Sequence, residues 1–193
     1  MPGYPERAAS SGRNPTAICG LAGTLRQCYE APAMNDVSIS ATGLGDAAPP
    51  GFAPIRLGPN NGFVDVNGPL YGKIEDERLL LGFRVERRHC NPADVCHGGM
   101  LMTFADMLLG VGANYQAKLG RFLPTVNMSA DFLAPAPLGA WVEGSVDVLR
   151  TTRNLVFAQC LLTADGAPAM RASGIMKLGP PFDANFQLFK PSI

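Results

Sequence analysis

Charge is scarce in this chain. Only 17% of its 193 residues are Asp, Glu, Lys or Arg, and the 16 acidic and 16 basic side chains cancel to a formal net charge of zero. No basic run is longer than Arg87-Arg88, so the electrostatic footprint of a nucleic-acid binder is missing. Long apolar runs are missing too. The stretch Met100 to Gly112 is too short to cross a bilayer and contains Asp106. Five cysteines, at 19, 28, 90, 96 and 160, make an odd count far too sparse for a disulfide scaffold. That usage points to a reducing compartment, the cytoplasm. His89-Cys90 and Cys96-His97 form a mirrored pair that invites a zinc reading. Sequence neighbours in extended chain point to opposite faces, however, and Cys90-x5-Cys96 is wider than structural zinc spacing. No metal is expected, and all five cysteines read as isolated thiols.

What is present divides into three regions. Residues 1–50 are rich in Gly, Pro, Ala and Ser and end at Ala47-Ala48-Pro49-Pro50-Gly51. Little there repeats with a helical or strand period, so a mostly disordered extension is expected. Met34-Asn35-Asp36 makes a natural start within it. Arg7, Arg13 and Arg26 are too few, and an apolar core too absent, for a targeting peptide. Residues 51–180 carry the periodic patterns of one domain. Residues 181–193 form a short tail whose Phe182, Phe186 and Phe189 are expected to dock on a neighbour.

Within the domain, 63–74 reads as an irregular opening strand or a short helix and strand, broken at Asn67-Gly68-Pro69. From 79 to 88, Leu81, Phe83 and Val85 alternate with Gly82, Arg84 and Glu86, the mark of a half-buried strand. A helix follows over 98–119, with Gly120 as its stop. Strands are expected at 123–134, 141–152, 155–164 and 168–178, with turns at Thr151-Thr152-Arg153-Asn154 and Asp165-Gly166. One long helix followed by a run of antiparallel strands is an α+β pattern.

The helix is the informative element. Leu101, Phe104, Leu108 and Val111 cover one side, while Met100, Met102, Met107 and Leu109 spread over the rest. A helix apolar on nearly every face belongs inside a fold. Asp106 is then a lone carboxylate with no cationic side chain before Lys118, and such a residue has a job, a partner or a raised pKa. The plain alternative is an aspartate facing solvent on a polar strip with Thr103 and Gly110. Gly98 and Gly99 fall where the helix begins, where backbone N–H groups lack internal partners and the dipole favours negative charge. An oxyanion developing on a carbonyl would be stabilised there; alternatively the glycines merely permit a tight turn. Asp106 lies eight residues after Gly98, or roughly 12 Å along a helix. One helix can hardly bring both to one carbonyl. If they act together, the donors of one subunit meet the acid of another, in a symmetric dimer with two interface sites.

The run Asn91-x5-His97-Gly98-Gly99-x6-Asp106 resembles the acyl-CoA thioesterases of the hotdog fold, in particular the phenylacetate-pathway type. The likeness extends from about Gly62 to about Leu178 and includes Pro124-Thr125-Val126-Asn127-Met128-Ser129-Ala130-Asp131. It implies an antiparallel sheet of five or six strands wrapped around one central helix. It also implies hydrolysis of an acyl-CoA thioester by carboxylate-assisted attack of water; the methionines of the helix, as an adaptable pocket, point to a medium-chain or aromatic acyl group. Under the resemblance Asp106 is base or nucleophile, and the Gly98 N–H polarises the thioester carbonyl. The Asn91 amide helps hold that carbonyl, His97 orients the turn, and Thr125 positions water. Coenzyme A enters as part of the substrate, with no separate cofactor, and the assembly is a homodimer or homotetramer. Phe104, Met107, Leu108 and Met102 are candidates for the acyl pocket, and Lys118, Arg121, Arg150 and Arg153 for the phosphates. Two other readings stay open. One is a hotdog hydratase or dehydratase, which pairs a histidine with an acid. The other is a non-catalytic acyl-CoA sensor; sensors of that kind carry an upstream DNA-binding helix, and residues 1–50 show no basic amphipathic pattern of that sort.

Overall fold

A computed structural model describes residues 48–56, 62–182 and 190–191. The extension expected over 1–50, including Met34, lies outside the described residues up to position 47, as do Phe186 and Phe189 of the tail. The chain runs β1 (Ala53–Arg56), α1 (Gly62–Asn67), β2 (Tyr71–Glu75), β3 (Arg78–Arg84), a 3-10 turn (Arg87–His89), α2 (Gly98–Ala117), β4 (Thr125–Phe132), β5 (Trp141–Thr151), β6 (Leu155–Ala164), β7 (Ala167–Lys177) and β8 (Lys190–Pro191). Every strand pairing is antiparallel, in the order β4-β7-β6-β5-β3-β2-β1-β8. This is the hotdog arrangement, one central helix on the face of a large antiparallel sheet. The sheet is longer than the five or six strands read from the sequence. β1 contains a proline and only four residues, and β8 has two, so neither shows an alternation that a sequence pattern can register.

The helix and sheet interlock through glycines. A Cβ at Gly144 on β5 would meet the Leu161 carbonyl at 2.7 Å and the Leu108 side chain of α2 at 3.0 Å. A Cβ at Gly174 on β7 would meet Leu109 at 2.9 Å, and one at Gly112 of α2 would meet Val146 at 2.6 Å. The sheet thus offers hollows, and α2 fills them with leucines. Phe104 packs on Phe83 of β3 with ring centroids 4.9 Å apart, and Phe104, Leu108 and Leu109 are wholly buried. Phe104 and Leu108, expected to line an acyl pocket, are therefore core of the single chain. Met102 and Met107 are half-buried on a different face.

The helix closes at Lys118 rather than at Gly120. Lys118 takes the left-handed conformation (φ 51°), and its N–H reaches the Asn114 and Tyr115 carbonyls. Gly120 (φ 61°) is the second left-handed residue of the exit. The buried Asn114 ties this exit down, donating to the Gly110 carbonyl at 3.2 Å and accepting the Arg121 N–H at 3.2 Å. That connection delivers the chain to β4, an edge of the sheet.

Candidate active site

α2 is buried on three sides, and its fourth carries a half-buried stripe of Met102, Thr103, Asp106, Met107 and Gly110. Asp106 is therefore neither in the core nor on an ordinary solvated face. The carboxylate has a partner: Thr125 Oγ1, on the first residue of β4, donates to Asp106 Oδ1 at 2.6 Å. One carboxylate oxygen is thereby held, and among the described residues no donor engages the other. The left-handed exit of α2 and the tie at Asn114 bring β4 back beside the middle of the helix, which is how two residues nineteen apart meet.

At the other end, His97 is the N-cap of α2. Its Nδ1 accepts the Gly99 N–H at 2.9 Å, and its carbonyl takes the N–H groups of Met100 (2.8 Å) and Leu101 (3.2 Å). That capping leaves the Gly98 N–H with no acceptor among the described residues, at the end of a helix whose dipole favours an anion. A side chain at 98 would meet the Phe132 ring at 3.1 Å, so glycine lets that ring lie over the turn. An open depression of about 410 Å³ adjoins it, walled by Cys96, Leu101, Phe132, Leu133 and Pro135.

Asn91 opens the loop that leads to this donor. Its Oδ1 accepts the N–H of Ala93 at 2.9 Å and of Val95 at 3.5 Å, an Asx-type turn. No described residue takes its Nδ2 hydrogens. Asp94 sits at φ 57° and pairs with Arg87, tying the loop to the 3-10 turn. Beneath lies His89, only 4% exposed. Its Nδ1 accepts the Glu86 N–H at 3.0 Å, its carbonyl accepts the His97 N–H at 2.8 Å, and its ring stands edge-on to Phe83. Burial, and then the Arg88 charge, hold its pKa below the usual histidine value, with Glu86 and the backbone of Asn67 and Arg84 opposing. The neutral imidazole is the form that can accept the Glu86 N–H.

The structure thus joins Asp106 to Thr125, and His97 to Gly98 and Gly99, with Asn91 one short loop away. It does not join the two groups. Gly98 and Asp106 occupy the same unbroken helix, roughly 12 Å apart along its axis. Lys118 and Arg121 lie at the exposed exit of α2, Arg150 near the end of β5 and Arg153 in the following turn; Arg121 is engaged with the Gly179 carbonyl. Two contributors escaped the sequence reading. In the sequence His89 stands out only as one of a pair with Cys90, and Phe132 only as part of a strand; the face Phe132 presents is fixed by its register opposite Met170 of β7. No helix among the described residues is long and apolar enough to cross a membrane.

Comparison with known proteins gives matching results. Residues 93–168 match the family model described as the thioesterase superfamily. A candidate esterase of Pseudomonas aeruginosa is 30% identical over 132 residues, which is 67% of this chain and 96% of that protein. Acyl-coenzyme A thioesterase 13 of Mus musculus is 26% identical over 98 residues, 51% of this chain and 69% of its own. Among solved structures, the E. coli PaaI protein of the phenylacetic acid degradation operon superposes with a TM-score of 0.56 at 17% identity, over 63% of this chain and 87% of that one.

Proposed function

The chain belongs to the thioesterase superfamily, and we propose that it hydrolyses the thioester bond of an acyl-CoA, medium-chain or aromatic in its acyl group, with Asp106 assisting the attack of water. The observation that carries this reading is the 2.6 Å bond from Thr125 to Asp106 Oδ1 on the one face of α2 left outside the core. A hydroxyl that fixes one carboxylate oxygen leaves the other aimed by the same contact. In the proposed step that second oxygen takes a proton from water as the water attacks the thioester carbonyl. The carbonyl oxygen becomes an oxyanion, received by the free Gly98 N–H and the Asn91 Nδ2 hydrogens. Collapse of the tetrahedral species expels the CoA thiolate. The likeness to a mouse acyl-coenzyme A thioesterase supports the substrate class. Half-buried Met102 and Met107, beside the carboxylate, suit an adaptable apolar acyl group.

Because acid and donors lie roughly 12 Å apart along one helix, each site takes its acid from one protomer and its donors from another. β4 supports such a pairing. It is an edge strand in which Val126 is 63% and Phe132 53% exposed, and an exposed apolar edge is a template for another strand. In this reading the half-buried stripe of α2 becomes the floor of two equivalent interface sites.

The deciding experiment is thiol release from short, medium, long and aromatic acyl-CoAs, wild type beside Asp106→Asn. The expected result is turnover by the wild type and a loss of about 10²–10⁴-fold in the variant, with the fold retained. Turnover in Asp106→Asn within a few-fold of wild type would sink the assignment. Hydration of an enoyl-CoA without free thiol would move the site to the hydratase class. Tight acyl-CoA binding with no release would make the protein a sensor. Single-turnover hydrolysis in ¹⁸O-labelled water tests the base role: direct attack puts the label into the first product, whereas an anhydride opened at the Asp106 carboxyl carbon leaves the label on Asp106 and puts an Asp106 oxygen into that product.

A further inference from the structure

Cys90 and Cys96 are partners in an antiparallel bridge. The hydrogen bonds that define it run between their neighbours: Asn91 N–H to the Val95 carbonyl at 2.9 Å, and His97 N–H to the His89 carbonyl at 2.8 Å. Such a pair is of the non-hydrogen-bonded kind, with Cα atoms about 4.5 Å apart and side chains at their closest. A disulfide requires Cα atoms about 4.4–6.8 Å apart, so these two can be bridged, at the short end of the range. Both thiols are free. Cys90 is half-buried and its Sγ lies 3.4 Å from the Glu86 carbonyl; Cys96 is buried and its Sγ lies 3.9 Å from the His97 carbonyl. Side-chain rotation, with little backbone movement, turns each sulfur toward the other.

We propose that Cys90 and Cys96 form a dithiol site that reacts with small-molecule disulfides, and that its oxidation locks the turn carrying Asn91 and the Gly98 donor. The more exposed sulfur acts first. Cys90 thiolate attacks one sulfur of the external disulfide, the S–S bond breaks, and one thiolate leaves. Cys96 then gives its proton to solvent and attacks Cys90 Sγ, expelling the second thiolate. Two protein thiols lose two electrons, and one disulfide becomes two thiols, which take up the two protons. Burial, and then the charge of Cys90, push the Cys96 thiol up to about 12. Capping Cys90 as a mixed disulfide removes the second of those causes just when Cys96 must react.

The effect on catalysis rests on the thioesterase reading; the thiol chemistry does not. Asn91 and His97 each adjoin one of the cysteines, and His97 caps the helix that offers Gly98. Small displacements of oxyanion donors are costly, since about 1 Å of misplacement can cut turnover about 100-fold.

The test uses the full chain treated with oxidised glutathione, then alkylated under denaturing conditions and digested with trypsin. No Lys or Arg lies between Arg88 and Lys118, so both cysteines stay in one peptide that contains no other cysteine. The expected result is that this peptide resists alkylation and lacks two hydrogens, reversibly with dithiothreitol. Thiol release should slow at least about 10-fold on oxidation and recover on reduction. Cys90→Ser should keep its basal turnover and ignore oxidised glutathione. Alkylation of both cysteines, or a lasting glutathione adduct without the internal bridge, overturns the dithiol site; a bridged protein with undiminished turnover overturns the lock. If reduced wild type hydrolyses no acyl-CoA, the thioesterase reading fails by itself. The peptide still decides the dithiol site, and amide exchange over 91–98, expected to slow on oxidation, then decides the lock.

Discussion

The bond between Thr125 and Asp106 is worth more to chemistry than to folding. Both residues lie outside the core, so removing the hydroxyl leaves no buried orphan, yet it frees a carboxylate that must point at water. A hydrogen bond to a charged group contributes about 1.5–3 kcal/mol. Thr125→Val should therefore lower kcat about 10–100-fold, with a midpoint of urea unfolding close to wild type; an unchanged kcat would remove Thr125 from the site. His89 has the opposite character. Its folded-state pKa is depressed below 6.5, so below pH 6.5 the unfolded chain binds a proton that the folded chain resists. Stability contributed by the neutral ring is thus fully present above 6.5 and is lost as pH falls through that value, by at most about 1.4 kcal/mol per pH unit. His89→Asn, whose Oδ1 can still accept the Glu86 N–H, should flatten that acid slope in denaturant titrations between pH 5 and 7. The two thiols titrate at the other extreme. Burial holds Cys96 near 12 and Cys160 near 11, so they erode stability only as pH climbs above 9.

At the scale of elements, the turn between β2 and β3 stands out, because Asp76 and Glu77 both have positive φ, 48° and 61°. That is the backbone of a two-residue hairpin turn which prefers Asn-Gly or Asp-Gly. Glu77→Gly should relieve the second position and raise stability by about 0.5–1 kcal/mol, read as a higher melting temperature. Gly144→Ala should do the reverse, costing about 1–3 kcal/mol, since the added methyl meets backbone at Leu161 and cannot displace it cheaply. These positions also show why some elements were legible and others were not. Asp165-Gly166 announces its turn, and the strands expected at 141–152, 155–164 and 168–178 fall within a residue or two of β5, β6 and β7. Asp76-Glu77 carries no turn residue at its second position, so the hairpin is imposed by the pairing of β2 with β3 and is invisible locally. The helix stop is hidden for a related reason: Gly120 has the conformation expected of a stop, but Lys118 takes it first.

For the whole molecule, the sequence places the proposed parts of the site and their separation on one short stretch. Asn91, His97, Gly98 and Asp106 lie within sixteen residues of chain, where helix geometry alone measures the gap. What it did not reveal was the role of His89 or the facing of Cys90 and Cys96, which depend on how a loop folds back. The gap has a consequence that can be measured. If each site takes its acid from one protomer and its donors from the next, two inactive variants should rescue each other. Asp106→Asn keeps the donors and loses the acid. Asn91→Asp keeps the Oδ1 contacts of its turn and loses the Nδ2 donor. In a dimer of one copy of each, one site combines the intact donors of the first with the intact acid of the second, and the other site lacks both. Random re-pairing makes about half of the dimers mixed, each with one sound site of two, so about one quarter of wild-type activity should return. Unfolding the two variants together and refolding them, then assaying thiol release against each refolded alone, makes the comparison. Recovery to that level places the catalytic unit across two chains. No recovery, with dimers present by sedimentation, would confine each site to one protomer and require α2 to bend or break between Gly98 and Asp106.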